Sequence, residues 1–512
     1  MPIAAYFRLL RAGFVLAREG ALSLVDVALL PPSLRLLVRA GRLIERRDAR
    51  NQGGVQRLTR ALNRLGPTYV KFGQSLATRP DIVGVDIARD LAVLQDAMAP
   101  FDPALVPGVL SDALGEKAAD LKQLSPPIAA ASIAQVHRAV LRDANGSERL
   151  VAVKLLRPGV RRRFMADLES YYAAARLAEG LVPMTRRLRP TDVVETLARS
   201  ARLELDLRLE AAAISEFGEN IKNDKGFAIP SVSWDHTAET VLTTTWIDAI
   251  PIRDLAAIEA AGLSRTELAR NVLQNFLRHA IRDGYFHADM HPGNLFADPL
   301  TGNVVAVDFG IMGRISRRER RFLADVLYGF LTRNYRAMAE RHFEIGYVPK
   351  DQSVDDFALA LRAIGEPLHG RKANDISMAK VLGQLFATTE IFNMQTRPEL
   401  VLLQKSMVLV EGVARSLDPE LDVWTIAEPV VGDWVRREAG PLGRLEDIAD
   451  RLRTVGDTLA RLPNVVARAE DLLADEEARR RLERARRPGF LLTTLLWLLL
   501  VCAVVLLWRM LS

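Results

Sequence analysis

Gly284-Tyr285-Phe286-His287-Ala288-Asp289-Met290-His291-Pro292-Gly293-Asn294, then Val304-Val305-Ala306-Val307-Asp308-Phe309-Gly310, is the stretch that decides the fold. Pro292-Gly293 excludes a helix and makes the run from Asp289 to Asn294 a loop. Asp298-Pro299 and Thr301-Gly302-Asn303 supply the turn of a hairpin. Its second strand, 304–307, is wholly apolar and delivers Asp308 with Phe-Gly behind it. A polar turn before a buried strand would share this composition. It would not require an Asp, an Asn five positions later and an Asp-Phe-Gly in one short span.

Phosphoryl transfer on a kinase-like fold does require that spacing. Asp289 would face the acceptor oxygen, while Asn294 and Asp308 would hold Mg2+, which neutralises charge on the transferred group. His287, Asp289 and His291 suggest a transition-metal site instead. Pro292 and Gly293 break any helix that would align the two histidines, and the only cysteine, Cys502, is far away. His287 is expected to orient the loop through a backbone hydrogen bond, or to pack.

Upstream, 127–141 reads as strand, tight alanine loop and strand. Asp143-Ala144-Asn145-Gly146 closes a hairpin onto Leu150–Leu156. A Val-Ala-x-Lys strand puts the Lys154 ammonium beside the α- and β-phosphates of a nucleotide; the alternative is an edge-strand lysine in solvent. Ala129, Ala130, Ala131 and Ser132 stand where protein kinases carry glycines, and each alanine adds a methyl group that changes the nucleotide contacts. A buried lysine needs a carboxylate to keep it charged and aimed. Glu210 is the choice and Glu169 the rival. Residues 226–250 read as strands (Phe227–Pro230, Ser231–Trp234, Thr240–Trp246), with 243–248 linking two lobes, and 252–283 as helical.

Behind Asp308-Phe309-Gly310 the chain passes through Ile311–Ile315 straight into a charged helix, Ser316–Phe330. No long activation segment or Ala-Pro-Glu follows, so the platform that holds an extended peptide is missing, which argues against a general protein kinase. The run 317–440 reads as helical, broken at 346–353 and 366–375. A second unusual stretch lies near the start: Pro67 and Pro80 bound a helix on which Lys71, Gln74, Ser75 and Thr78 share one polar face. That face either meets something or is solvated.

The 512 residues suggest two to four units, and a single cysteine excludes an intrachain disulfide framework and fits a reducing compartment. The net charge of +6 is compatible with nucleic acid, an anionic membrane or phosphate ligands. Nucleic acid ranks last, because the arginines are spread along helices without an aromatic-basic module. Phe490 to Trp508 carries no charge and is about 28 Å long as a helix, enough for one membrane span. Arginines 479, 480, 481, 484, 486 and 487 crowd its near side, which keeps the large part cytoplasmic. Arg8, Arg11 and Arg18 interrupt the first apolar segment, so the N-terminus is no cleavable signal; residues 3–47 read as basic helices that rest on an anionic leaflet or are solvated.

Lys71-Phe72-Gly73-Gln74, Ala129–Ser132, Val151–Lys154, Glu204-x-Asp206 with Glu210, Asp289 with Asn294, and Asp308 together resemble the UbiB family of atypical kinase-like ATPases linked to ubiquinone biosynthesis, over about residues 56–440. The resemblance implies an α+β, bilobal protein-kinase-like fold with a helical N-terminal extension and a C-terminal transmembrane helix. Its expected parts are a basic helical region (1–55), an extension with Lys-x-Gly-Gln (56–125), a nucleotide-binding lobe (126–248), a helical lobe (249–440), a charged linker (441–488) and a membrane helix (489–510). It implies that Lys71 and Gln74 lie over the active site and restrict a protein substrate. Glu204 and Asp206 would contact that segment, and Glu210 would pair with Lys154. Ala134 stands where some relatives have Gly, and Thr244-Thr245 lacks the usual Met-Glu. The implied cofactors are ATP or ADP with Mg2+. Implied partners are membrane lipids, isoprenoid quinone precursors, ubiquinone-biosynthesis enzymes and a second copy of the chain, at a bacterial inner membrane. Rival readings are a small-molecule kinase, since His-x-Asp-x4-Asn also resembles aminoglycoside and choline kinases, a true protein kinase, and a nucleotide-gated lipid-binding scaffold without catalysis.

Overall fold

The computed structural model describes residues 3–24, 32–46, 54–77, 87, 91, 94, 99–143, 145–181, 189–366, 384, 388, 391–394 and 398–439. One compact unit runs from Met1 to Trp434; the second begins at Val435 and is described only through Ala439. The chain opens with helices α1 (Ile3–Arg18), α2 (Pro32–Leu43), α3 (Gly54–Leu65) and α4 (Pro67–Ala77). Pro67 is the first helical residue of α4, where its missing N–H costs nothing.

Helix α5 (Val106–Leu114) leads into β1 (Leu121–Lys122), β2 (Ala129–Ala130), β3 (Ala134–Arg142) and β4 (Glu148–Leu156). Three helices follow, α6 (Val160–Leu181), α7 (Pro190–Glu204) and α8 (Leu207–Asn220), then β5 (Phe227–Ala228) and β6 (Val241–Thr245). The first sheet has the order β1-β3-β4-β6, with β2 also paired to β3, and every pairing is antiparallel. Strand alternation sends Val151, Val153 and Leu155 of β4 to one face, against Ala139, Leu141, Val241, Val106 and Leu110. Burying each such valine or leucine contributes about 2 kcal/mol. The opposite face of β4 therefore carries Ala152 and Lys154.

The second lobe comprises β7 (Ile250–Pro251), α9 (Leu255–Ala260), α10 (Arg265–Leu277), a π-helical turn (Arg278–Asp283), β8 (Tyr285–His287), β9 (Leu295–Ala297), β10 (Val304–Ala306) and β11 (Met312–Arg314). It continues through helices α11 (Arg317–Leu331), α12 (Tyr335–Ile345), α13 (Val354–Gly365), α14 (Pro398–Leu417) and α15 (Val423–Ala439). The hairpin expected around 298–303 is present as β9 and β10, with Ala297 opposite Val304. β8 pairs with β11, so the strands flanking Asp289 and Asp308 are tied to each other.

β5 runs parallel to β10, with Phe227 opposite Val304, and belongs to the second sheet. Two expectations need correction. Ser231–Trp234 is not a strand: Val232 makes one bridge to Thr244, and Trp234–His236 is a 3-10 turn closed by the His236 N–H on the Ser233 carbonyl. The helical run after Asp-Phe-Gly is also broken at Asn334 and Asp422, whose side chains cap or start the next helix. The break expected from residue 367 onward, the linker 441–488 and the membrane run 489–510 lie outside the described residues. Among the described residues no helix is long and apolar enough to cross a membrane.

Phe322, Tyr335, Met338, Val348, Phe357 and Leu361 form the core of the helical part. His342 is buried within it, between the rings of Phe322 at 4.6 Å and Phe357 at 5.0 Å, and its Nδ1–H donates to the Met338 carbonyl at 2.7 Å. Burial pushes the imidazole down to about 4. The unfolded chain therefore binds a proton near pH 6.5 that the folded chain refuses until about pH 4. Stability is lost as pH falls through that window, by about 3 kcal/mol from this residue. His342→Leu should flatten the pH dependence of chemical denaturation between these limits, whatever its effect on stability at neutral pH. A slope identical to wild type would show that His342 does not carry the effect.

Candidate active site

Lys154 is on a central strand, opposite Val136 on one side and Leu242 on the other, so neither edge nor solvent claims it. Its partner is on α8. Leu207, Glu210, Ala211, Ile214 and Phe217 share the buried face of that helix, which makes Glu210 the one acid in an apolar stripe. Lys154 Nζ donates to both Glu210 oxygens at 2.9 Å and to Asp308 Oδ1 at 2.9 Å. Burial pushes the Glu210 carboxyl up to about 7, against the pull of Lys154. Burial also works against the Lys154 charge, but Asp308 and Glu210 outweigh it and hold the ammonium well above its usual range. Lys154 in turn keeps Asp308 well below the usual carboxylate range, with smaller help from Lys71. Glu169 is excluded as the partner, because its carboxylate is bound by Arg8 at 2.9 Å.

Asp308 has φ +62°, a left-handed conformation that costs an L-residue about 1 kcal/mol and that Asp tolerates better than most. Its side chain remains 49% exposed, so a solvent-borne ligand can reach it. Phe309 behind it is buried against Phe217 of α8 at 5.4 Å and His287 at 5.0 Å.

The loop 288–294 is held from both ends. Gly284, at φ +68°, closes the π-helical turn at a point where a Cβ would lie 2.5 Å from the Ile315 carbonyl oxygen. His287 Nδ1 accepts the Asp289 N–H at 3.1 Å, and its Nε2–H donates to the Val307 carbonyl at 3.2 Å. Burial lowers its pKa and keeps it in that neutral form. With both ring nitrogens spent on the backbone, His287 has none left for a metal ion. The Asn294 amide donates to the Asp289 carbonyl at 3.1 Å, which leaves Oδ1 as the atom able to ligate. Asp289 Oδ2 is 3.9 Å from His291 Nε2, and Ser406 of α14 donates to the Ala288 carbonyl at 3.2 Å. A deprotonated, half-exposed Asp308 and an oxygen-presenting Asn294 are hard donors of the type Mg2+ prefers.

Lys71 is on α4 and pairs with Glu204, the last residue of α7, at 2.6 Å. Gly73 lets α4 approach closely, since a Cβ there would lie 2.4 Å from Leu94 Cδ1 and 2.7 Å from Leu62 Cδ1. Gln74 donates to the Leu94 carbonyl at 3.2 Å. Nothing is described at Thr78. Asp206 is the N-cap of α8: it accepts the Arg208 N–H at 3.1 Å and takes that guanidinium at 2.9 and 2.7 Å. Ala129 and Ala130 form β2, while Ala131 accepts Arg157 Nη2 at 2.8 Å and Ser132 is buried.

Sequence reasoning missed Arg157 and Phe217. Arg157 also binds the Ala99 carbonyl at 2.8 Å, and so fastens the alanine loop to the segment before α5. Its signal was a cation immediately after the buried strand of Lys154. Phe217 touches Phe227, His279, Tyr285 and Phe309, and its place seven residues beyond Glu210 on one helical face was readable.

The ABC1 atypical kinase-like domain matches residues 93–342, and the UbiB helical domain matches residues 361–422. A Marinobacter nauticus protein described as "Probable protein kinase UbiB" is 38% identical over 455 residues, 85% of this chain and 82% of that protein. One of the same description from Aeromonas hydrophila is 38% identical over 464 residues, covering 90% and 84%. A solved Mycobacterium tuberculosis chain, from a complex of Rv3197 with erythromycin, is 21% identical with a TM-score of 0.48, covering 78% of this chain and 97% of that one.

Lys154 and a divalent cation would compete for Asp308. Lys154→Met should therefore tighten Mg2+ binding to the nucleotide-free protein about tenfold, read by calorimetric titration. Weaker or unchanged Mg2+ binding would mean that Asp308 is not the ligand.

Proposed function

Because the chain belongs to the UbiB family, we propose that it is a membrane-anchored, kinase-like ATPase that binds Mg-ATP or Mg-ADP and supports ubiquinone biosynthesis by acting on, or presenting, lipid precursors at the bilayer. The observation that carries this reading is Lys154, shared by Glu210 and Asp308. When a nucleotide enters with its metal, Lys154 exchanges Asp308 for phosphate oxygens, and Glu210 keeps the ammonium aimed. Asp308 and Asn294 Oδ1 would hold Mg2+, which would supply charge neutralisation on the phosphates. Asp289 orients the acceptor hydroxyl or water and takes its proton as the γ-phosphoryl group passes to that oxygen and the bond to the leaving diphosphate breaks. Lys71, Gln74 and Glu204 limit which acceptors reach the cleft.

Only Ile315 and Ser316 separate β11 from α11, which leaves no extended platform for a peptide. That favours water or a small hydroxyl compound as acceptor. Catalysis with release of inorganic phosphate is the primary reading; a small-molecule kinase is the second.

The test is quinone profiling of cells whose only copy is Asp308→Asn, beside phosphate release by the purified full chain. Ubiquinone should fall at least several-fold with a precursor accumulating, and turnover should drop by at least about a hundredfold. Unchanged quinone with no precursor would remove the pathway, and label appearing on a small hydroxyl compound would favour the kinase.

A further inference from the structure

Neither α1 nor α2 contains an acidic residue. α1 turns Ala5, Ala12 and Ala17 inward, and its Arg8 reaches Glu169 and Ser170 on α6. On the other side, Phe7, Leu10 and Phe14 are 67%, 68% and 50% exposed. They recur at helical spacing and form one stripe. Arg11 and Arg18 are exposed on the same face, and the Arg18 guanidinium lies 5.9 Å from the Phe14 ring centroid. α2 packs its Gly41 towards Leu22 and Ala17, and exposes Leu36 (73%) and Leu43 (80%), with the exposed Arg39 between them. Single exposed leucines are ordinary. Periodic apolar stripes on two helices in contact, each lined by arginine, are not.

An apolar protein surface, a second copy of the chain or the apolar run 490–508 would cover these side chains but give Arg18 and Arg39 no counter-charge. The interface of an anionic bilayer meets both needs: acyl chains take Phe7, Leu10, Phe14, Leu36 and Leu43, and lipid phosphates take Arg11, Arg18 and Arg39. We propose that the outer faces of α1 and α2 dock in the plane of an anionic membrane, as a contact separate from the C-terminal apolar run. The nucleotide chemistry plays no part in this, so its failure and the failure of the proposed function are distinguishable.

The test uses the full chain with Cys502→Ser and one nitroxide at Phe7→Cys, reconstituted in vesicles of phosphatidylcholine and phosphatidylglycerol at about three to one. Accessibility to dissolved oxygen and to a water-soluble nickel chelate is then measured. The label should be oxygen-accessible and shielded from nickel, while a control label at Leu300→Cys, which is 93% exposed, stays aqueous. The Phe7 label should return to the aqueous value in pure phosphatidylcholine vesicles, and in anionic vesicles with Arg11→Glu and Arg18→Glu. A nickel-accessible label in anionic vesicles overturns the proposal. So does shielding that ignores both lipid charge and the two arginines, which would assign the face to a protein occupant. The comparison between lipids uses unchanged protein and stands even if the double variant fails to fold.

Discussion

One ammonium shared between two carboxylates joins the lobes. Lys154 comes from the first sheet, Glu210 from α8 and Asp308 from the end of the β9–β10 hairpin, and all three contacts are 2.9 Å. None of the three would be comfortable alone. Glu210 is buried enough that its carboxyl rises to about 7, and burial works against the Lys154 charge, which its two partners restore. A buried ion pair of this kind is weak support for stability, since desolvation offsets most of its attraction. What it supplies is position: the ammonium has three donors, and all are directed by the protein.

The second lysine follows the same logic at the rim. Lys71 is held by Glu204 and is close enough to help depress Asp308, so two cations act on one exposed carboxylate. Gly73, two residues on, lets the same helix pack tightly against Leu62 and Leu94. Asp308 adds its own constraint, a left-handed backbone that the β10 strand and the buried Phe309 hold in place. Strain of this sort persists only where the surroundings over-determine it, and it accumulates where geometry serves chemistry.

Much of this was legible in the chain. Strand alternation in 150–156 put Lys154 opposite the apolar layer, and the turn residues 298–303 placed the hairpin that carries Asp308. Local pattern could not decide which sheet Phe227-Ala228 would join, because a two-residue strand has no periodicity and its partner, β10, lies far along the chain. The capping role of Asp206 was readable locally, because an Asp two residues before Arg208 at a helix start serves its own backbone. Glu169 and Glu210 were equally plausible partners on charge alone. Only Glu210 interrupts an apolar stripe, whereas Glu169 is half exposed and taken by Arg8.

The same stripe explains why the two carboxylates cannot move independently. Phe217 follows Glu210 on the buried face of α8 and meets Phe309, the residue next to Asp308, at 5.4 Å. Phe309 in turn contacts His287, whose ring fixes both the Asp289 amide and the Val307 carbonyl. A shift of α8 that withdrew Glu210 from Lys154 would also draw Phe217 from Phe309 and open a cavity beside the turn that holds Asp308. Removing an aromatic contact from a core this tight costs about 3 kcal/mol or more. The ion triad and the ring stack therefore select the same placement of α8. The apolar half supplies the energy that the charged half, weakened by desolvation, does not.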